Sequence, residues 1–218
     1  KANVNILKLI LKHNIDKHNI EAGITLKDEH IKEFSNEYEM RDSSGYSIPH
    51  TGNDLNMIYS LNANNRINSR RIESYIQDTW KFSSANENTL FTLNYGARIS
   101  HWSYNKETIV SPRISLVVIP SFNKNITLRL ATGVYYQAPF FKELRDTTST
   151  NGITTVSLNN KIKSQKSIHI IAGMDYRFNV ANRPFKFSAD AYYKILSNLI
   201  PYSVNNVKVV YDGRNEAS

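Results

Sequence analysis

The feature that most constrains the fold of this chain is a strict two-residue alternation of apolar and polar side chains. It is clearest between Ser111 and Leu144, where the apolar positions of the second half are Ile126, Leu128, Leu130, Val134 and Tyr136. The odd positions between them are small, polar or charged, and the segment before residues 121–124 repeats the pattern. Because successive side chains of a strand point to opposite faces, this stretch predicts two antiparallel strands joined by a tight turn, with one apolar face and one polar face.

The same alternation recurs along the chain and predicts about eight strands and no convincing helix. The remaining strands are expected at residues 5–13, 19–27, 70–82, 89–102, 168–178 and 185–200. The strand at 70–82 has the poorest phase, because Asp78 falls among Ile72, Ile76 and Trp80, and a β-bulge is one explanation. Periodicity alone leaves two architectures open: a water-soluble sandwich that buries the apolar face, and a membrane barrel that turns it to lipid.

The lengths of the connections favour the barrel. Those at 14–17, 83–88, 121–124 and 179–184 are short, whereas those at 28–69, 103–109 and 138–165 are generally longer and polar. Outer-membrane barrels have short periplasmic turns and longer outside loops, and a sandwich has no reason to sort its connections in this way. We therefore expect an all-β, antiparallel, up-and-down transmembrane β-barrel, with long extracellular loops at 28–69 and 138–165.

Composition excludes several other classes of protein. The mean hydropathy is −0.45, and the apolar runs, such as Leu116–Pro120, are far shorter than the roughly 20 residues of a membrane helix. The formal charge of +8 raises nucleic acid as a partner, but the 27 basic residues are dispersed among 19 acidic ones. We expect no nucleic acid and instead charges that line a lumen or face anionic lipopolysaccharide. The 13 Tyr and 9 Phe fit the aromatic girdles of a barrel.

The chemistry-bearing residues do not indicate an enzyme. There is no Cys and no nucleophile-elbow, zinc-helix, phosphate-loop or dinucleotide motif, so neither catalytic residues nor a cofactor is assigned. The densest titratable group, comprising Asp28, Glu29, His30 and Glu33, suggests a divalent cation, but such a run more often forms a solvated strand tip, and no metal site is assigned. His169, close to Asp175 on the polar face, is expected to form a hydrogen bond inside the lumen.

Several short motifs resemble the barrel of TonB-dependent outer-membrane receptors. They are S-P-R at 111–113, N-x-T-L-R at 125–129, G-x-Y-Y-Q-A-P-F-F-K-E-L at 133–144, Y-I-Q-D-T-W at 75–80 and A-D-A-Y-Y-K-I-L-S-N-L at 189–199. In that family a similar S-P-R strand precedes a strand that ends in an aromatic residue, then A-P and a short F-x-E-L segment. The motifs cover about half of the chain, and their order and spacing carry the resemblance.

The resemblance implies a location and a function. Members reside in the outer membrane of Gram-negative bacteria and take up a scarce ligand, such as an iron-siderophore, a corrinoid or an oligosaccharide, through a plug domain that contacts the TonB complex. No plug is found in residues 1–218, so the chain is interpreted as about eight strands of a larger barrel whose first and last strands do not pair. Outer-membrane lipid and lipopolysaccharide are the expected surroundings. The alternative function is a soluble or surface-anchored β-sandwich that binds carbohydrate.

Candidate ligand-binding residues follow from the direction of the strands. If strands that leave short turns run outward, then Arg98, Trp102, Tyr135 and Gln137 lie on inner faces near the outer mouth. An aromatic ring with polar neighbours in a water-filled vestibule suits a small ligand. Packing of Trp102 and Tyr135 against a plug, or in the outer aromatic girdle, is the alternative for those two residues.

Overall fold

Eight long strands form one continuous up-and-down sheet. The structure is a computed structural model, and it describes residues 1–41, 56–85, 88–150, 153–205 and 208–211. The strands are β1 (Ala2–Ile15), β2 (His18–Arg41), β3 (Asn56–Ser83), β4 (Leu90–Trp102), β5 (Glu107–Ile119), β6 (Ile126–Gln137), β7 (Arg145–Thr150), β8 (Ile153–Leu158), β9 (Gln165–Val180), β10 (Arg183–Ser197), β11 (Tyr202–Asn205) and β12 (Lys208–Tyr211). One 3-10 turn spans Phe141–Leu144. No helix in the described ranges is long and apolar enough to cross a membrane.

The strand order is β1-β2-β3-β4-β5-β6-β9-β10, and every neighbouring pair is antiparallel. The predicted eight strands are these eight. The turn between β9 and β10 consists of Ala181 and Asn182, both with positive φ (49° and 59°). Positive φ at both central residues is typical of a type I′ turn, whose twist matches that of the two strands of a hairpin. Within the described residues β1 pairs only with β2, and β10 only with β9, so the sheet is open at both edges, as the sequence predicts.

The two faces of the sheet differ as the alternation predicts. Leu128 lies opposite Met174 and Leu130 opposite Ala172 on what we call the apolar face. Large side chains on this face stay exposed, among them Leu7 at 69%, Leu130 at 56% and Ile170 at 52%. A water-soluble sandwich would bury them under a second large sheet, whereas here ten of the twelve described strands form one sheet with a bare apolar face, and β11 pairs only with β12. The sandwich architecture is therefore wrong for this chain, and the barrel architecture is confirmed.

Aromatic rings line the apolar face near the short turns. Trp80 and Phe82 lie 4.4 Å apart between ring centroids, and Phe82 stacks on Phe91 at 5.0 Å. On the same face, at the β9–β10 end of the sheet, Phe178 stacks on both Tyr176 and Phe185, at 5.4 and 5.8 Å. Amphipathic and aromatic rings collect at the boundary between lipid and water, so these stacks mark one edge of an apolar band.

The strands β2 and β3 extend much farther than the sequence predicts. Residues 28–69 are expected to form an irregular loop with possible strand tips, but the β2–β3 ladder continues without a register shift until Glu39 and Met40. Alternation persists there with the faces exchanged: Ile31 and Ile67 now lie on the polar side, and Lys32 and Arg66 on the other. Pairing between the two strands overrides the turn-forming composition of residues 62–69. The stretch D-S-S-G-Y-S-I-P-H lies outside the described residues.

The second long connection, 138–165, also contains structure that was not predicted. After the 3-10 turn, β7 and β8 form a hairpin, and β8 runs parallel to β3, with Ser60 opposite Ile153. This connection lies over the polar face of the sheet, at the end of the strands beyond the apolar band. One buried hydrophobic cluster under it consists of Ile67, Trp102, Leu144, Ile162 and Ile200. We call residues 138–164 the roof segment.

The poor phase at Asp78 does not come from a bulge. β3 stays in register with both neighbours at this residue, so the carboxylate remains on the apolar face between Ile76 and Trp80. The Tyr95 hydroxyl donates to Asp78 Oδ2 at 2.9 Å, and His18 Nδ1 lies 2.6 Å from the same oxygen. The carboxylate is buried, because side chains from both adjacent strands enclose it.

Candidate functional site

Arg98 lies on the polar face and is flanked by two neighbouring strands. It lies on β4 between Tyr75 of β3 and Ser111 of β5. Its guanidinium lies 5.7 Å from the centroid of the Tyr75 ring, and Nη1 lies 3.9 Å from Glu73 Oε2. The Tyr75 ring itself lies over Gly23, where a Cβ would come within 2.4 Å of the ring, so only glycine leaves room for this arrangement. The Tyr75 hydroxyl donates to Glu21 at 2.6 Å.

Tyr135 is held between a guanidinium and an imidazole. Arg113 lies 4.3 Å above its ring centroid, and the His169 ring stacks on it at 4.5 Å. The sequence predicts a hydrogen bond of His169 inside the lumen, and the contact found among the described residues is this ring stack on β6. Three adjacent strands, β5, β6 and β9, fix the orientation of the tyrosine in this way.

Arg98 and Tyr135 line one cavity of about 460 Å³ on the polar face. Tyr75, Arg113, Ser111 and Asn94 contribute to the same wall. A volume of this size falls within the range of small-ligand pockets. The cavity combines guanidinium groups and tyrosine rings, which can bind anionic oxygens and flat aromatic or conjugated groups respectively.

A second cavity of about 90 Å³ adjoins the first and shares Arg98, Ser111 and Arg113 with it. Arg71, Glu73 and Trp102 form its far wall. The Arg71 guanidinium lies 4.5 Å above the Trp102 ring, and its buried Nε has no hydrogen-bond partner. A third arginine beside an aromatic ring thus extends the same polar face towards the roof segment.

Trp102 and Gln137 have different surroundings from Arg98 and Tyr135. Trp102 is only 6% exposed, packs with Ile67 and Leu144, and donates its indole N–H to Ser69 Oγ at 3.1 Å. Gln137 is exposed, pairs with Gln165 across β9, and lines neither cavity. Of the four predicted ligand-binding residues, the structure brings Arg98 and Tyr135 into one cavity, places Trp102 at the edge of the second, and leaves Gln137 apart.

Glu107 anchors the roof segment at the end of the second cavity. Its Oε2 accepts hydrogen bonds from the Ser164 N–H at 3.0 Å and the Ser164 hydroxyl at 2.6 Å. Asn105 donates to the same oxygen at 3.1 Å and to the Ile162 carbonyl at 3.0 Å. Nearby, burial raises the pKa of the Tyr104 phenol, whose hydroxyl is buried without a partner. Through these contacts Glu107, the first residue of β5, holds the roof segment at one side of the second cavity.

Nearer the short turns, ion pairs rather than a cavity occupy the polar face of β6, β9 and β10. Arg129 pairs with Asp175 and, at 2.9 Å, with Asp190, and Lys186 lies 3.2 Å from Asp175. Ser188 donates to Asp175 at 2.8 Å. Since these charges neutralise one another, this part of the face is less suited than the cavity to bind a charged ligand.

The four residues considered for a divalent cation are divided between the two sides of the sheet. Asp28 and His30 lie on the side of the apolar face, where the carboxylate is 2.8 Å from His30 Nε2. Glu29 accepts a hydrogen bond from Ser69, and Glu33 pairs with Arg145 at 3.3 Å on the other side. No group of three or more possible metal ligands occurs among the described residues.

Sequence reasoning missed Tyr75, Arg113 and Arg71 as members of the site. All three share the phase of the polar face, but alternation does not tell which positions on adjacent strands lie at the same height. Only the register, which places Tyr75 opposite Arg98 and Arg113 opposite Gly133, brings them together.

An open antiparallel sheet with a bare apolar face and a charged, cavity-bearing polar face is typical of a segment of a transmembrane β-barrel. Residues 7–215 match the family described as TonB dependent receptor-like, beta-barrel, and the chain belongs to this family. The family comprises receptor barrels and not enzymes. No curated protein sequence matches the chain significantly.

Solved structures of similar fold include two receptors and a transporter. The siderophore receptor PirA from Acinetobacter baumannii is 16% identical with a TM-score of 0.60, and the match covers 96% of this chain and 29% of PirA. The ferric enterobactin receptor PfeA, solved in complex with BCV-L6, is 14% identical with a TM-score of 0.61 over 98% of this chain and 32% of PfeA. The outer membrane transporter YddB from Escherichia coli is 13% identical with a TM-score of 0.62 over 98% and 28%. This chain therefore spans about a third or less of each.

Proposed function

We propose that this protein is an outer-membrane receptor for TonB-dependent active uptake, and that its ligand is an anionic iron-siderophore. The observation that carries the choice of ligand is the repeated pairing of an arginine with an aromatic ring around two adjoining cavities. The pairs are Arg71 with Trp102, Arg98 with Tyr75, and Arg113 with Tyr135.

Such pairs favour an anionic ligand for a physical reason. A guanidinium over a ring face keeps its charge, while its N–H groups remain directed sideways to form bidentate bonds with carboxylate or catecholate-type oxygens. Among the described residues, Glu73 is the one acid within 4 Å of Arg98, and at 3.9 Å the pair is a loose one. A corrinoid or a neutral oligosaccharide would use the rings but not the three positive charges.

The family and the similar structures support the rest of the proposal. Of the structures named above, PirA is described as a siderophore receptor and PfeA as a ferric enterobactin receptor. The bare apolar face supports a location in the outer membrane of a Gram-negative bacterium, surrounded by lipid and lipopolysaccharide. Coupling to the TonB complex would pass through a plug domain, which residues 1–218 do not supply.

The test of location is fractionation. The protein in its full natural length should sediment with the outer membrane and resist carbonate extraction. Its recovery in a soluble periplasmic fraction would contradict a membrane barrel and with it the uptake function.

The test of ligand class compares binding of radioactive ferric siderophores with binding of cobalamin and maltooligosaccharides. Substituting Arg98→Gln should weaken binding of an anionic siderophore about ten- to a hundred-fold, since one charge-assisted contact contributes roughly 1.5–3 kcal/mol. Arg177→Gln is the matched control, because Arg177 lies on the same polar face at its opposite end, outside both cavities. Preferential binding of a neutral oligosaccharide, unaffected by Arg98→Gln, would overturn the assignment to siderophores.

A further inference from the structure

Three apolar side chains interrupt the alternation on the polar face of the sheet, at the end that carries the short turns. Leu90 pairs with Ile119, and Val117 lies opposite Thr92. These four residues share the phase of Arg98 and therefore lie on the polar face. Leu90 is 46% exposed. Lipid covers the other face of the sheet, so an apolar cluster here indicates contact with a molecule or segment inside the barrel.

Leu90, Val117 and Ile119 line a cavity of about 390 Å³, which we call the exit cavity. Lys17 and Lys81 line it as well, and the backbone N–H of Lys81 donates to the Lys17 carbonyl at 2.8 Å, which holds the two lysines side by side. In the described part of the chain neither ammonium group pairs with an acid. The exit cavity therefore combines an apolar wall with two positive charges, which suits an anion that carries apolar or aromatic groups.

The exit cavity continues the cavity of Arg98 and Tyr135 along β3, β4 and β5. From the roof segment towards the short turns, successive rows on the polar face of these strands are Tyr75, Arg98 and Ser111, then Gln77, Gly96 and Arg113, then Thr79, Asn94 and Ser115, then Lys81, Thr92 and Val117. The first three rows belong to the larger cavity and the fourth to the exit cavity. Arg98 and Thr92 are thus roughly 20 Å apart along β4. A molecule can pass between the two cavities without leaving these three strands.

The row of Thr79, Asn94 and Ser115, next to the exit cavity, carries no charge. The Thr79 hydroxyl donates to Asn94 Oδ1 at 2.7 Å, and the Asn94 amide donates to Ser115 Oγ at 3.2 Å. Because these polar groups satisfy one another, they neither hold nor repel an anion strongly. From the row of Arg98 to the short turns, β3, β4 and β5 carry no Asp or Glu on the polar face.

The polar face on either side of these three strands does carry acids. On β1 and β2, Glu21 pairs with Lys12 at 3.0 Å. On β6, β9 and β10, Arg129 is shared between Asp175 and Asp190. An anion would be repelled by these carboxylates, and the cations beside them are already paired. Among the described strands, β3, β4 and β5 therefore provide the most favourable route for an anion from Arg98 to the short turns.

We propose that the exit cavity is a second binding site, which the anionic ligand occupies after it leaves the cavity of Arg98 and Tyr135 and before its release on the side of the short turns. Lys17 and Lys81 attract the charge of the ligand, and the apolar wall contacts its uncharged groups. The volumes of the two cavities, about 390 and 460 Å³, are close enough for one ligand to occupy each in turn. This inference rests on the proposed function, from which it takes the anionic ligand, and adds where that ligand binds during its passage.

The first experiment separates binding from passage in cells that carry the protein in its full natural length. The probe is the radioactive ferric siderophore that the wild type binds most tightly in the comparison of ligand classes. The double substitution Lys17→Gln and Lys81→Gln should leave surface binding on ice within about two-fold of the wild type and should slow uptake about ten-fold, because a cleft lined by charges of one sign raises the local concentration of the opposite ion by at least that factor. The control, Arg177→Gln with Arg183→Gln, removes two charges at the same end of the sheet but outside the exit cavity, and it should not slow uptake.

The second experiment probes the exit cavity without a siderophore. Residues 1–218 contain no Cys, so Val117→Cys places one thiol on the wall of this cavity. In the purified protein this thiol should react about ten-fold faster with a sulfonate methanethiosulfonate reagent than with a trimethylammonium one, after correction for their rates with free cysteine. Adding Lys17→Gln and Lys81→Gln should remove the difference. Thr127→Cys, opposite Asp175 on the polar face and outside the exit cavity, is the control and should show no preference for the anionic reagent.

The outcomes separate the possible errors. Uptake at the wild-type rate by the Lys17 and Lys81 variant, or an equal loss in the Arg177 and Arg183 variant, overturns the exit cavity as a binding site, while surface binding that depends on Arg98 still supports the receptor. Equal rates of the two reagents at Val117→Cys overturn it as well, and so does a thiol that neither reagent reaches, since another segment of the protein then fills the cavity. If the wild type binds no ferric siderophore, the proposed function itself is wrong.

Discussion

Arg113 lies 4.3 Å above the ring of Tyr135, whose own position is fixed by His169 stacked at 4.5 Å. Gly133, opposite Arg113, makes the arrangement possible, because a Cβ there would lie 3.0 Å from Arg113 Cγ and 3.2 Å from Tyr135 Cε2. Three strands therefore preorganise one cation and one ring on the cavity wall. Preorganised groups lose less conformational freedom when a ligand binds.

The first prediction concerns the coupling between these two residues. Substituting Arg113→Leu and Tyr135→Leu separately and together should give a coupling energy of about 0.5–1 kcal/mol in the free energy of unfolding, the usual size of a partly exposed cation–π contact. Urea titration of the protein in lipid vesicles measures it. A coupling indistinguishable from zero would mean that Arg113 and Tyr135 are neighbours without mutual stabilisation.

The second prediction concerns the two faces. Substituting Leu128→Arg or Ile170→Arg should destabilise the protein by about 2–4 kcal/mol, because a charge would then face the bilayer core, whereas Thr127→Arg on the polar face should cost little. Spin labels at 127 and 128 provide an independent check, since a lipid-soluble quencher should reach only the label at 128. Equal quenching at the two positions would invalidate the assignment of the faces.

The third prediction concerns the buried carboxylate of Asp78 on the apolar face. Asp78→Ala should destabilise the protein by about 1–3 kcal/mol, because the Tyr95 hydroxyl and His18 each lose their acceptor in an apolar environment. Adding Tyr95→Phe to Asp78→Ala removes one of the orphaned groups and should restore part of the loss. Urea titration in vesicles reports both effects, and a neutral Asp78→Ala variant would show that solvent reaches this cluster.

How far the sequence predicts the fold depends on the source of each contact. The eight long strands follow from alternation, a local rule that β6 obeys from Ile126 to Tyr136 at every apolar-face position except Thr132. The extension of β2 and β3 does not, because Asn62, Asn64 and Asn65 favour turns locally and become strand only by pairing with β2. The residues of the roof segment around Leu144 form a 3-10 turn without alternation, so the burial of Trp102 with Leu144 could not be read from spacing.

The candidate site was predictable to a similar degree. Arg98 and Tyr135 were placed on the inner face near one end from strand direction, and they do line one cavity. The register that aligns Arg98 with Tyr75 depends on two interstrand ladders at once. A chain read one strand at a time carries no information about that alignment.

The fourth prediction concerns the pH response of His30, which lies beyond the apolar band. Hydrogen bonds to Asn68 and then to Asp28 raise the pKa of His30 above its usual 6.5. Because the pKa of His30 is higher in the folded than in the unfolded protein, its protonation stabilises the folded state, and this stabilisation is complete at pH values below the ordinary pKa. The stabilisation is lost as the pH rises through the raised pKa. Unfolding of the wild type and of His30→Gln should therefore differ more at pH 5.5 than at pH 8.5. A histidine NMR titration should place His30 above 6.5 in the wild type and lower in Asp28→Asn, and an unshifted titration would contradict the contacts.

The last prediction concerns the anchor between Glu107 and the roof segment. Glu107→Ala removes the acceptor of the Ser164 N–H and hydroxyl and of Asn105, while Trp102 and Leu144 still hold the segment from the other side. Because a hydrogen bond to a charged group contributes roughly 1.5–3 kcal/mol, amide exchange around Ser164 should accelerate at least about ten-fold. Glu73→Ala is the matched control, since Glu73 lines the same cavity without touching the roof segment, and it should leave this exchange unchanged. If Glu107→Ala also leaves the exchange at Ser164 unchanged, the hydrophobic cluster alone holds the segment, and Glu107 becomes an additional polar group available to the ligand cavity.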